Sequence, residues 1–167
     1  TYHIDSPLGT FAENLHGLPA PEPTSDLSKA AAYGDLQTLN RLLETSSFVT
    51  NNVNAVDSIS GNTALIWAAE FGQLEIVDRL LTVEGIDMNR PGYLGANAVT
   101  RAARRGHGHV LERLIQSGAQ LDIPNDKLQY PLHFAAFKQH EDIVQLLLKS
   151  GANPYVLDRK GRTPAED

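Results

Sequence analysis

The chain has no cysteine, which excludes disulfides and thiolate metal sites and leaves the redox compartment open. It has no apolar run of about twenty residues, the length a membrane-spanning helix needs. Basic charge is short: 14 Lys and Arg stand against 20 Asp and Glu, a formal net charge of -6, which disfavours non-specific nucleic-acid binding. No Gly-x-Ser-x-Gly nucleophile motif is present, and no glycine loop of the kind that cradles phosphates. His107-Gly108-His109 is the nearest thing to a metal pair, but a spacing of two on a helix points the imidazoles apart, and no third ligand is close in sequence. Paired carboxylates such as Glu141-Asp142 are explained by a helix start, where they complement the dipole. The sequence therefore predicts no catalytic residue, no metal site, no cofactor and no small-molecule substrate. It begins at Thr1 rather than Met, as a processed protein or a fragment would, with no secretory or transit segment in view; an intracellular location is expected.

What the chain does have is a unit that repeats. In the stretch from Asn62 to Leu81, Leu65, Ala68 and Ala69 fall on one helical face and Leu74, Val77, Leu80 and Leu81 on another, with Gly72 between them. That spacing predicts two short helices joined by a tight turn. Isolated helices of about ten residues are marginal in water, so the unit needs copies of itself as neighbours. Ala64-Leu65 recurs as Ala98-Val99 and as Pro131-Leu132, in steps of 34 and 33 residues. Ala68-Ala69 recurs as Ala102-Ala103 and Ala135-Ala136, and Leu80-Leu81 as Leu114-Ile115 and Leu147-Leu148. An earlier unit runs through Leu27, Ala30-Ala31, Gly34, Leu39 and Leu42-Leu43, and a stub follows at Gly161-Arg162-Thr163-Pro164.

Tyr130-Pro131-Leu132-His133, Ala135-Ala136, Asp142-Ile143-Val144, Leu146-Leu147-Leu148 and Gly151-Ala152-Asn153 together resemble the ankyrin-repeat pattern. The resemblance covers Ser25 to the C-terminus. It departs at Asn97-Ala98-Val99-Thr100, and at Gln139, which stands where Gly72 and Gly106 stand. It implies an all-α solenoid of stacked helix-turn-helix units with hairpin-like fingers, and a role in protein binding. It also implies that His107 is a turn residue and that His133 ties one finger to its neighbour.

Residues 1–24 do not repeat and carry Pro7, Pro19, Pro21 and Pro23, which favour extended backbone. Thr10 is placed to cap a short helix bearing Phe11, Leu15 and Leu18. Three readings of this arm stand: a disordered leader, a strap over the first repeat, or a docking segment. The repeats are expected at 25–56, 57–87, 88–122 and 123–156, with a truncated fifth at 157–167. Ser25 or Asp26 is the expected N-cap of the first. The polar stretch Thr45–Asn52, anchored by Phe48 and Val49, reads as a surface loop.

Stacked repeats form an extended concave surface. The resemblance implies that fingertips and exposed first-helix positions line it, and the register then places Tyr33, Glu70, Phe71, Arg104, Arg105, Phe137 and Lys138 there, just ahead of the inter-helix turns. Ile59, Tyr93, Leu94, Lys127, Arg159 and Lys160 fall on the fingertips, and Trp67 and Arg101 lie one helical turn earlier. Aromatics and Arg dominate interface energetics. A basic, aromatic-dotted groove on an acidic chain predicts a partner polypeptide with an acidic and apolar segment. Two rival readings are a structural subunit held permanently in a larger complex, and the recognition part of an enzyme whose catalytic part lies outside these residues.

Overall fold

The computed structural model describes residues 21–45 and 53–166. The expectations for Pro7, Pro19, Thr10, Phe11, Leu15 and Leu18, and for Phe48 and Val49, lie outside the described residues. Among the described residues there are eight α-helices and no strands. They are α1 (Asp26–Tyr33), α2 (Leu36–Glu44), α3 (Ala64–Glu70), α4 (Leu74–Leu81), α5 (Ala98–Arg105), α6 (Gly108–Gln116), α7 (Pro131–Phe137) and α8 (Glu141–Lys149). Odd-numbered helices pack side by side, α1 on α3, α3 on α5 and α5 on α7, and even-numbered helices form a second parallel layer. The chain is thus the all-α repeat solenoid that the resemblance implies. No described helix is long and apolar enough to cross a membrane.

The first helices of repeats one to three start on a side-chain cap. Ser25 Oγ accepts from the Ser28 N–H at 3.1 Å, Thr63 Oγ1 from Ile66 at 3.3 Å and Asn97 Oδ1 from Thr100 at 3.0 Å, so each satisfies a backbone donor that a helix start leaves open. Tyr130 offers no such cap. There His133 turns back, its Nδ1 accepting from the Tyr130 N–H at 3.1 Å, while its Nε2 reaches the Arg162 carbonyl at 2.9 Å. With Nδ1 accepting, the ring proton sits on Nε2 and is donated to the fifth finger, so His133 is an inter-repeat tie. Ala30, Ala31, Ala68, Ala69, Ala102, Ala103 and Ala135 are all buried. Small residues here let neighbouring first helices approach closely, and the leucines of the second helices complete one continuous core.

The turn between paired helices is left-handed. Gly72 and Gly106 have φ of 67° and 76°; a Cβ on Gly72 would also meet the His107 ring at 2.7 Å. Gln139 occupies the equivalent position with φ 61°, and Leu128 holds φ 58° where the other fingers place Gly61, Gly95 and Gly161. A non-glycine residue in this conformation costs about 1–2 kcal/mol, partly offset by the entropy a glycine loses. Both side chains are exposed, so little packing is lost on removal. Gln139→Gly and Leu128→Gly are each expected to raise the unfolding free energy by about 0.5–1 kcal/mol, read as a higher urea midpoint with unchanged m-value.

The N-terminal edge is tied down at one buried carboxylate. Asp57 accepts from the Trp67 indole Nε1 at 3.0 Å, from Ser28 Oγ at 2.9 Å and from the Thr24 and Ser25 backbone N–H groups at 3.1 and 3.4 Å. Pro21 and Pro23, just upstream, are buried.

Candidate functional site

The fingers are hydrogen-bonded turns closed by backbone bonds from Asp57 to Asn62, Gly92 to Ala96, Asn125 to Gln129 and Asp158 to Arg162. They are linked in series. The Tyr93 N–H donates to Asn62 Oδ1 at 2.8 Å, the Asp126 N–H to the Leu94 carbonyl at 3.0 Å, and Arg159 Nη2 to the Asp126 carbonyl at 2.9 Å. A parallel series links the helix pairs. Gln73 Nε2 donates to the Ala32 carbonyl at 3.1 Å, and His107 and His140 bond the Glu70 and Arg104 carbonyls at 3.0 and 3.2 Å. His107 thus serves the turn, and its titration is tied to folding. Burial holds its pKa below the ordinary value, with Arg105 and His140 pushing the same way and the bond to Glu70 opposing.

That shift has a definite sign. The folded chain binds fewer protons than the unfolded chain near His107, so stability increases with pH across the window. The contribution is complete above the unfolded value of about 6.5 and is lost as pH falls through the lowered folded value. Gln73 makes the same bond from the same register position, so His107→Gln keeps the bond and removes the proton. The urea midpoint is expected to fall between about pH 7.5 and about pH 5.5, and to fall less in His107→Gln.

Four residues expected on the partner-facing surface lie inside the stack. Trp67, Glu70, Arg101 and Arg104 are all buried, Arg101 at 2% exposure and Glu70 at 1%. The reason is register. The residue two positions ahead of each turn glycine points toward the next first helix, and Ala32 takes the same buried place in α1. In the fourth repeat that slot belongs to Phe137, which is 66% exposed; there the short turn Pro164–Glu166 packs on α7. Trp67 lies flat against Phe71, ring centroids 6.2 Å apart, and Phe71 is itself half-buried. Tyr93 and Leu94 are also part-buried.

The buried charges form a network. Glu70 lies 4.0 Å from Arg101 Nε and 3.6 Å from Arg105 Nη1, and Arg101 Nη2 donates to the Tyr93 carbonyl at 2.7 Å. Burial pushes the Arg101 pKa down to about 10; Glu70 supports the charge while Arg104 and Arg105 oppose it. Arg104 lies over the Phe134 ring, 5.6 Å from its centroid.

The remaining expected residues are open. Tyr33, Ile59, Phe137, Lys127, Lys138, Arg159 and Lys160 are exposed, and Arg105 is partly so. Lys138 Nζ sits 5.9 Å from the Phe137 centroid. Lys127, Lys138 and Lys160 form no ion pair among the described residues. Exposed cations and an exposed ring therefore lie on repeats three to five, while Arg101 and Arg104 of repeat three are buried. The described residues hold no group of three His, Asp or Glu placed to bind a metal ion.

The architecture is that of a helical repeat protein whose units stack in register. A family model described as ankyrin repeats, three copies, matches residues 27–125 and 72–158; the chain belongs to the ankyrin-repeat family. Ankyrin repeats are general protein-interaction modules and generally lack catalytic activity. The chain is 30% identical over 140 residues to the probable E3 ubiquitin-protein ligase XBOS31 of Oryza sativa subsp. japonica, covering 82% of this chain and 30% of that protein. It is 30% identical over 151 residues to the mouse Neurogenic locus notch homolog protein 1, covering 90% of this chain and 6% of that protein. It is 40% identical over 68 residues to human B-cell lymphoma 3 protein, covering 38% and 15%. The chain thus spans less than a third of the length of these relatives.

Proposed function

We propose that the chain binds another polypeptide along the fingers and first helices of repeats three to five, and that the bound segment is acidic and apolar. The observation that carries this reading is the exposure of Phe137 beside Lys138, with Lys127, Arg159 and Lys160 on the neighbouring fingertips. An aromatic supplies apolar area at small entropic cost, and the cations steer an acidic segment to it. The net charge of -6 makes this cationic strip a local feature and not an overall excess.

Peptides of about twelve residues, selected from a random display library on the intact chain, test the reading. Selected peptides are expected to pair acidic with apolar residues and to bind the Phe137→Ala, Lys138→Glu double variant at least about tenfold more weakly, a loss of about 1.4 kcal/mol. Both substitutions are on exposed side chains, so the melting temperature should hold. Equal affinity for the double variant overturns the assignment.

A second reading is favoured by the similarity to XBOS31 and to XBOS32, a further probable E3 ubiquitin-protein ligase of the same rice, 31% identical over 160 residues. In it, the groove selects substrates for a ligase activity carried elsewhere on a longer chain. It requires ubiquitin transfer to a groove-bound partner that Phe137→Ala with Lys138→Glu abolishes.

A further inference from the structure

The first-repeat end of the stack carries an open furrow. It runs between α1 and α2 and is lined by Lys29, Ala30, Tyr33, Asp35, Thr38 and Arg41. It holds about 300 Å³, the share of about ten waters in the liquid, so apolar side chains fit. We propose that this furrow is the seat of the chain's own N-terminal arm, with the Phe11, Leu15 and Leu18 side chains laid into it. The seat lies at the opposite end of the stack from Phe137 and stands apart from the groove reading.

The lining of the furrow is wrong for another repeat. Counted from the turn residues Gly34 and Gly72, Lys29 stands where α3 has Trp67, and Thr38 stands where α4 has Ile76. Trp67 and Ile76 are buried, whereas Lys29 is exposed and Thr38 half-buried. Asp35 is more telling. Gln73, His107 and His140 each follow a turn and bond the Ala32, Glu70 and Arg104 carbonyls of the preceding repeat. In repeat one that position belongs to Asp35, whose carboxylate accepts from the Thr38 N–H at 3.1 Å. A repeat stacked ahead of α1, from a second copy for instance, would set a carbonyl against this carboxylate, acceptor against acceptor.

Position, length and pattern point to the arm instead. The chain enters the fold through Pro21 and Pro23, both buried. Glu22, between them, acts on Tyr33: burial first, and the Glu22 charge second, hold the Tyr33 hydroxyl above its ordinary pKa. Tyr33 is 54% exposed and forms one wall of the furrow, so the arm leaves the fold beside its seat. Leu18 is three residues from Pro21 and stays within about 11 Å of it. Phe11, Leu15 and Leu18 share one face at helical spacing. As a helix, Thr10 to Leu18 would span about 13.5 Å, against about 12 Å for the eight residues of α1.

The furrow offers such a face Ala30 and the Tyr33 ring, flanked by the alkyl stems of Lys29 and Arg41. Those stems cover apolar side chains while their charged ends stay in water, and neither cation forms an ion pair among the described residues. So polar a furrow would hold a separate peptide weakly. A segment joined through a short linker is present at an effective concentration of about millimolar, so modest contacts seat it. The seated arm then caps the terminal repeat.

The chain has no cysteine, so engineered thiol pairs report proximity without background. In the full chain, Leu15→Cys with Thr38→Cys joins the apolar face of the arm to the furrow. Two controls share the same tether. Leu15→Cys with Gln37→Cys uses an exposed α2 side chain outside the furrow lining. Glu13→Cys with Thr38→Cys uses the opposite face of the arm's helical spacing. Under mild oxidation the first pair is expected to close an intramolecular disulfide at least about tenfold faster than either control, at a rate independent of protein concentration. Adding Phe11→Asp is expected to bring that rate down to the control level. Comparable rates for the three pairs, or a rate unmoved by Phe11→Asp, overturn the proposal. Cross-linked dimers that grow with protein concentration give the furrow to a second copy and overturn it equally.

Discussion

Asp57→Ala is expected to lower the unfolding free energy by about 3–5 kcal/mol, as large a loss as any polar side chain of the fold should give. Its carboxylate receives an indole N–H, a hydroxyl and two backbone N–H groups, and it is 3% exposed. A buried donor left without its acceptor costs about 1–3 kcal/mol, and more than one is orphaned here. Trp67 suffers most, since its ring is sealed in the stack. Asp57→Asn keeps the shape and part of the accepting capacity, so it should recover about half of the loss. The check is urea unfolding followed by Trp67 fluorescence, because Trp67 is the sole Trp and reports its own site. A loss under about 1 kcal/mol for Asp57→Ala would show that the carboxylate is dispensable to the N-terminal edge.

The fold was legible in the sequence because its signals are redundant. The Ala pairs, the Leu pairs and the turn glycines recur in step, and each is forced by one physical need: close helix approach, core filling or a positive φ. The surface was only partly legible. Glu70, Arg101 and Arg104 look like surface residues by type, and one step along a helix rotates a side chain by about 100°, enough to carry it from groove to interior. A usable signal was present nonetheless. Glu70 faces Arg101 and Arg105 of the next repeat, and Asp78 likewise faces Arg113, bonded at 2.9 Å. Opposite charges spaced by about one repeat mark contacts between repeats rather than contacts with a partner. Asp57 was not legible, because its four donors come from two repeats and from the residues ahead of the first. Nor was Leu128, whose left-handed backbone shows only when its finger is aligned on Gly61, Gly95 and Gly161.

Glu70→Leu should destabilise the chain by about 3–5 kcal/mol, because it strips a buried guanidinium of its counter-charge. Arg101 stays 2% exposed and keeps Arg104 and Arg105 close by, so the substitution leaves its charge opposed by theirs with the Glu70 carboxylate gone. Leu restores apolar volume but not the charge, so packing cannot rescue the variant. Replacing both partners is a different experiment. In Glu70→Leu with Arg101→Met the charge and its counter-charge leave together, and Met fills the arginine stem's space with an adaptable side chain. A buried ion pair exchanged for apolar residues of similar volume is often neutral or stabilising. The double variant gives up the bond from Arg101 to the Tyr93 carbonyl, which sets its residual loss at about 1–2 kcal/mol. It is thus expected to be more stable than Glu70→Leu alone by about 2 kcal/mol, a non-additivity far outside the error of urea midpoints. If instead the two losses simply add, Glu70 and Arg101 act independently, and the contact between the second and third repeats does not depend on their pairing.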